Sequence, residues 1–96
     1  MFVTIIRFPP IKEGMDDRFR RWFAESTQEF AKHQGFVRRR LLKPQGGGTY
    51  VGLVEHESRE SFMAMHNSPR HDELRELVEP VFDGQPEPTF YQVVLE

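Results

Sequence analysis

The segment VGLVEHESRESFMAMHNSPRHDELRELVEP, residues 51–80, changes its spacing of apolar residues part-way along, and that change sets the fold. With the two residues before it, its first part reads TYVGLVEH, rich in β-branched and aromatic side chains as a strand requires. From Ser58 the spacing becomes helical. Ser58 suits the cap of a helix whose apolar side begins at Phe62 and Met65. Ser68 and Pro69 then restart or kink that helix, because serine caps well and proline fits the first helical position. Leu74, Leu77, Val78 and Val81 carry the stripe onward, and Pro80 with DGQPEP (83–88) stops it.

Upstream, FVTIIRF (2–8) is a strand ended by Pro9 and Pro10. In EGMDDRFRRWFAESTQEFAKHQG (13–35), Met15, Phe19, Trp22, Phe23 and Phe30 recur at spacings of three, four and seven, the stripe of an amphipathic helix. Gly35 terminates it. FVRRRLL (36–42) is a second strand, and KPQGGG (43–48) joins it to the third as an antiparallel hairpin. The three glycines lack the lysine and hydroxyl of a phosphate-binding loop. TFYQVVLE (89–96) is the last strand. The order βαββαβ predicts an α+β, ferredoxin-like fold: a four-stranded antiparallel sheet with two helices on one face. Residues 1–96 are expected to form one domain.

Composition narrows the function. With 38% apolar and 29% charged residues the chain has a globular balance. No apolar run is long enough to span a membrane. The start, MFVTIIRF, has neither a basic region nor a small-residue cleavage site, so no signal peptide is expected. There is no cysteine, which removes disulfides, thiolate catalysis and cysteine-held zinc and fits a cytoplasmic location. The net charge of -2 gives no global attraction to nucleic acid. Arg38, Arg39 and Arg40 alternate between two strand faces and read as a solvated or ion-paired surface.

Both strand faces are apolar. In the first strand, Phe2, Thr4, Ile6 and Phe8 alternate with Val3, Ile5 and Arg7. A sheet covered by helices on one side only would leave an apolar face uncovered, so a homodimer packed sheet against sheet is expected. Between sheet and helices, an apolar space can hold a flat aromatic ligand.

Four histidines remain. His33, near a helix end, reads as structural. His66 and His71 are five apart, about 140° around a continuous helix, and Pro69 intervenes; that spacing argues against a shared metal ion. At a helix N-terminus, His71 is disfavoured as imidazolium and can serve as a neutral base. Glu55 and His56 point to opposite faces, so only one of them can enter a cleft. Capping or interface roles for the histidines are the competing reading.

The chain resembles the antibiotic biosynthesis monooxygenase (ABM) family of dimeric α+β barrels. The resemblance rests on HES at His56–Ser58, then Phe62, His66, Ser68, Pro69 and His71, with KEGM (12–15) after the first strand. His56 stands where many relatives carry tryptophan. At the positions used by the haem-degrading branch, the chain has Arg7, His56 and Arg75, all different from that branch's residues. The quinol- and anthrone-oxidising branch is closer. It implies oxygenation of a hydroxyaromatic by dioxygen with no cofactor, His71 as base or proton relay, His66 orienting substrate, and Tyr50, His56, Phe62 and Tyr91 lining the cleft. The alternatives are a non-catalytic, dimeric ligand-binding domain and a haem-binding or haem-degrading relative.

Overall fold

A computed structural model describes all residues, 1–96. Strand β1 (Phe2–Arg7) is followed by helix α1 (Asp16–Phe30), strands β2 (Phe36–Leu42) and β3 (Val51–His56), helices α2 (Arg59–His66) and α3 (Pro69–Val78), a short 3-10 turn at Glu79–Val81, and strand β4 (Glu87–Gln92). The sheet is antiparallel throughout with the order β2-β3-β1-β4. This is the ferredoxin-like arrangement read from the sequence, with the second helix divided in two. No helix is long and apolar enough to cross a membrane.

Helix α1 opens with Asp16 and Asp17, which oppose the positive end of its dipole. Phe19, Phe23, Ser26 and Phe30 form its buried stripe. The side chains of Ser58 and Ser68 accept hydrogen bonds from the amides of Ser61 (3.1 Å) and His71 (3.2 Å), and Pro69 is the first residue of α3. Ser68 Oγ also donates to Met65 O at 2.6 Å, so one hydroxyl ties both sides of the break.

Pairing fixes which side chains face the helices. Thr4 lies between Val54 and Phe90, and Ile6 between Gly52 and Pro88. A Cβ at Gly52 would come within 3.1 Å of the Phe8 ring and 3.5 Å of the Phe23 ring, so the bare backbone there lets those aromatics meet the sheet. At Gly35, φ is +87° and an added Cβ would collide with Ser61; both facts call for glycine.

Strand β4 begins two residues earlier than the sequence pattern places it and ends at Gln92. Pro88 is tolerated because β4 is an edge strand, where a missing N–H need leave no ladder bond unmade. The strand stops because β1 runs out: after the bond from Val93 N to Met1 O (3.0 Å), Val94 and Leu95 have no partner and are fully exposed. Strand β2 carries a bulge between Phe36 and Arg38. Past it, Arg39 pairs with Val54 and Leu41 with Gly52, which turns Arg39 towards the helices. The expectation of a solvated or ion-paired arginine surface therefore holds for Arg38 and Arg40 and fails for Arg39. Arg38 Nε donates to Glu55 Oε2 at 2.6 Å, and Arg40 lies 3.6 Å from the same carboxylate.

Two aromatic-rich clusters make the core. One joins Phe8, Phe19, Phe23, Tyr50, Val78, Val81 and Phe82; the other joins Phe2, Phe30, Val54, Phe62, Met65 and Leu74. Val3, Ile5, Val51 and Leu53 lie on the opposite sheet face, which no helix covers.

Candidate functional site

The two core clusters do not close on each other. Between them, under β1 and against α1, α2 and α3, lies a cavity of about 270 Å³. Its walls are mainly apolar: Ile6, Phe8 and Val54 from the sheet, Trp22 and Phe30 from α1, and Phe62, Met65 and Val78 from the later helices. The polar residues among its walls include Thr4, Arg39, His66, His71 and Arg75.

His66 is the last residue of α2 and His71 the third of α3. Their ring centroids are 4.5 Å apart. An unbroken helix would separate them by about 140°; the turn at Asn67 and Ser68 removes that separation. His66 stacks on Phe62 and His71 on Phe30, each at 5.5 Å. His71 Nδ1 is buried and has no hydrogen-bond partner. The nearest carboxylate oxygen, on Asp72, is 4.0 Å away, too far for a hydrogen bond.

Burial is the main cause that pushes the His71 imidazole down to about 4; His66, Arg75 and Arg39 push the same way, and Asp72 opposes them. His66 is also held below its usual range, first by burial and then by Arg75. Both rings are neutral at pH 7. The sequence points to a neutral His71 through the helix dipole, whereas desolvation is the dominant cause.

The other candidate residues are dispersed. Phe62 lines the cavity. His56 is fully buried and does not line the cavity; it sits edge-on to Phe36 and Phe62. Its Nδ1 lies 3.1 Å from Ser61 Oγ, which itself donates to Ser58 O. That order makes Nδ1 the protonated nitrogen and leaves buried Nε2 as an acceptor with no donor. Tyr50 sits in the first core cluster, away from the cavity; its hydroxyl donates to Asp16 at 2.5 Å and accepts from Arg20 at 2.8 Å. Tyr91 is on the uncovered sheet face and 44% exposed. No three histidine, aspartate or glutamate side chains converge as a metal-binding set.

Three further wall residues shape the site. Thr4 is fully buried, and its Oγ1 has no hydrogen-bond partner. Trp22 donates from Nε1 to Leu74 O at 2.8 Å and so joins α1 to α3. Arg39 donates from Nη1 to Phe23 O, Ser26 Oγ and Thr27 Oγ1 at 2.8–3.1 Å. Its guanidinium lies 4.0 Å from the Phe23 ring centroid and 4.9 Å from that of Phe30. Burial lowers it to about 9, and it stays charged at pH 7. Thr4, the polar residue in the alternating set Phe2, Thr4, Ile6 and Phe8, was a usable signal; Arg39 needed the bulge to be known.

A profile of the antibiotic biosynthesis monooxygenase family matches residues 1–86. The chain belongs to the ABM family. Solved structures agree on the fold. Rv0793 from Mycobacterium tuberculosis is 18% identical, with a TM-score of 0.84 over 99% of this chain and 96% of that one. SnoaB from Streptomyces nogalater, a cofactor-independent oxygenase, is 20% identical in a mutant form, with a TM-score of 0.84 over 99% and 94%. A conserved protein from Methanosarcina mazei Go1 is 14% identical, with a TM-score of 0.80 over 96% and 92%. No curated protein matches the chain. Within the ABM fold, the cavity and its paired histidines occupy the space between the sheet and the split second helix.

Proposed function

We propose that this ABM protein is a monooxygenase that needs no cofactor and oxidises an electron-rich hydroxyaromatic compound, of quinol or fused-ring type, with dioxygen. The observation that carries this reading is the pair of neutral imidazoles in contact on the wall of an apolar cavity. Aromatic walls from Trp22, Phe30 and Phe62 suit a flat ring, and enclosure removes water that would quench a reactive anion. His71 takes the hydroxyl or acidic C–H proton of the substrate, and His66 passes that proton towards the surface. The substrate anion gives an electron to dioxygen, and the two radicals combine. For an anthrone the balance is one dioxygen consumed, the ring CH2 converted to a carbonyl with one oxygen atom, and the other released as water. SnoaB, of the same fold, is a cofactor-independent oxygenase, which supports the reaction class.

A second copy of the chain over the uncovered sheet face belongs to this reading, because Val3, Ile5, Val51 and Leu53 form an apolar surface there. The deciding experiment measures oxygen uptake over hydroquinones, naphthols and anthrones with no metal or flavin added. Consumption that depends on one substrate class supports the reading. Silence across the panel, with binding retained, supports a non-catalytic ligand-binding domain. A saturable haem titration would instead support a haem-binding relative.

A further inference from the structure

Two arginines line the cavity, and they differ in their partners. Arg75 is half exposed and has Asp72 and Glu79 each at 3.6 Å. Arg39 has no carboxylate within ion-pair distance; its three acceptors are neutral oxygens, all taken by Nη1. Nε and Nη2 donate to no group of the chain, and the guanidinium lies over the rings of Trp22, Phe23 and Phe30. A cation withdrawn from water without a counter-ion is unfavourable unless something supplies the missing negative charge. On the same cavity wall Thr4 holds a hydroxyl with no partner, a hydrogen-bond donor that the fold itself does not use.

We propose that the ligand occupies this cavity as an aromatic oxyanion, a phenolate or a carboxylate, with Arg39 as its counter-cation and Thr4 as a hydrogen-bond donor. This deepens the reading given above, on which it rests for the aromatic character of the ligand. Arg39 is a binding residue here: its free N–H groups meet the anionic oxygen and the aromatic walls hold the ring. An ordinary phenol ionises near 10, so transfer of its proton to the weakly basic His71 is strongly uphill unless the resulting anion is stabilised. The unpaired charge of Arg39 provides that stabilisation within the same enclosure. Written as a proton transfer, neutral phenol and neutral imidazole become phenolate beside Arg39 and imidazolium at His71, with no change in total charge.

The test uses three small probes of one ring size: 4-nitrophenol, its methyl ether 4-nitroanisole, and 4-nitrobenzoate. Binding is followed by calorimetry and, for the phenol, by the yellow nitrophenolate band. The expected result is that nitrophenol binds at least tenfold more tightly than the ether. The band should also grow on binding at a pH where free phenol is mostly protonated. Arg39→Met should abolish both the preference and the band, with the ether's affinity for the same variant as the reference; Arg39→Lys should restore part of each. Arg75→Gln should leave the preference in place. Tighter binding of nitrobenzoate than of nitrophenolate assigns the oxyanion to a carboxylate, and the reverse order to a ring hydroxyl. Equal affinity for phenol and ether in the unaltered protein, without growth of the band, overturns the proposal and needs no variant to fold. So does a preference that survives Arg39→Met. Oxygen uptake is read separately: binding of the anion without consumption removes the oxygenase and keeps this site, and consumption with preference for the ether does the opposite.

Discussion

The rings of His66 and His71 are 4.5 Å apart although five residues separate them in the chain, a spacing that would turn them away from each other on one helix. Ser68 makes the contact by ending one helix and capping the next with a single hydroxyl. Ser68→Ala should therefore lower stability by about 1 kcal/mol, the usual worth of such a cap. The denaturant midpoint checks this. An unchanged midpoint would show that the cap contributes nothing.

His71→Ala should reduce turnover of an active substrate about a hundredfold or more, within the usual range for loss of a positioned base. The sedimentation coefficient should not change, because His71 lies on the cavity wall and not on the open sheet face. A turnover number equal to that of the unaltered protein would exclude His71 from the chemistry.

Acid should weaken the fold through the same residue. The folded-state value of His71 is near 4 and its unfolded value near 6.5, so between them the unfolded chain binds more protons. The contribution is complete above pH 6.5 and is lost as pH falls to 4, amounting to about 3 kcal/mol. His66, Arg75, Asp72 and Arg39 all act on this titration, and His66 shifts in the same direction, so the two rings titrate together. Urea unfolding from pH 4 to 7 should show this slope; burial holds His56 below its usual range as well, so His71→Asn should reduce the slope without removing it. A variant with the same slope would place the acid sensitivity elsewhere.

Sedimentation at micromolar concentration should give the mass of a dimer. Ile5 pairs with Leu53 and Thr89 in the middle of the uncovered face. Ile5→Lys would put a charge there and should yield a monomer that keeps its helical circular dichroism. A monomeric mass for the unaltered chain would sink the face-to-face arrangement.

The elements were legible in the chain because each depends on local spacing: the α1 stripe, the glycine turns, and the restart at Ser68 and Pro69. The contact between His66 and His71 was not legible: their spacing of five points away from it, and only the geometry of the break brings the rings together. Tyr50, His56 and Tyr91 were harder, since their roles depend on partners distant in sequence. Asp16 and Arg20 take the Tyr50 hydroxyl, Ser61 takes one His56 nitrogen, and the β1–β4 register turns Tyr91 to the open side. Strand alternation says that neighbouring side chains face opposite ways, but without a register it does not say which way is in. Arg39 is the clearest case, flanked by two arginines of the same chemistry and the opposite orientation.

The bulge in β2 acts as a frame choice. Without it, and with the pairing at Phe36 kept, every later side chain in the strand would slide by one position. Arg38 and Arg40 would then turn under the helices and Arg39 would face outwards. Glu55 would lose both arginines, and two arginines of β2 would face the helices in place of one. The number of residues spent in that irregularity, rather than the identity of any arginine, decides how much positive charge is turned towards the helices. Lengthening or shortening the strand start by one residue would rewrite the electrostatics of the cavity with every arginine still present.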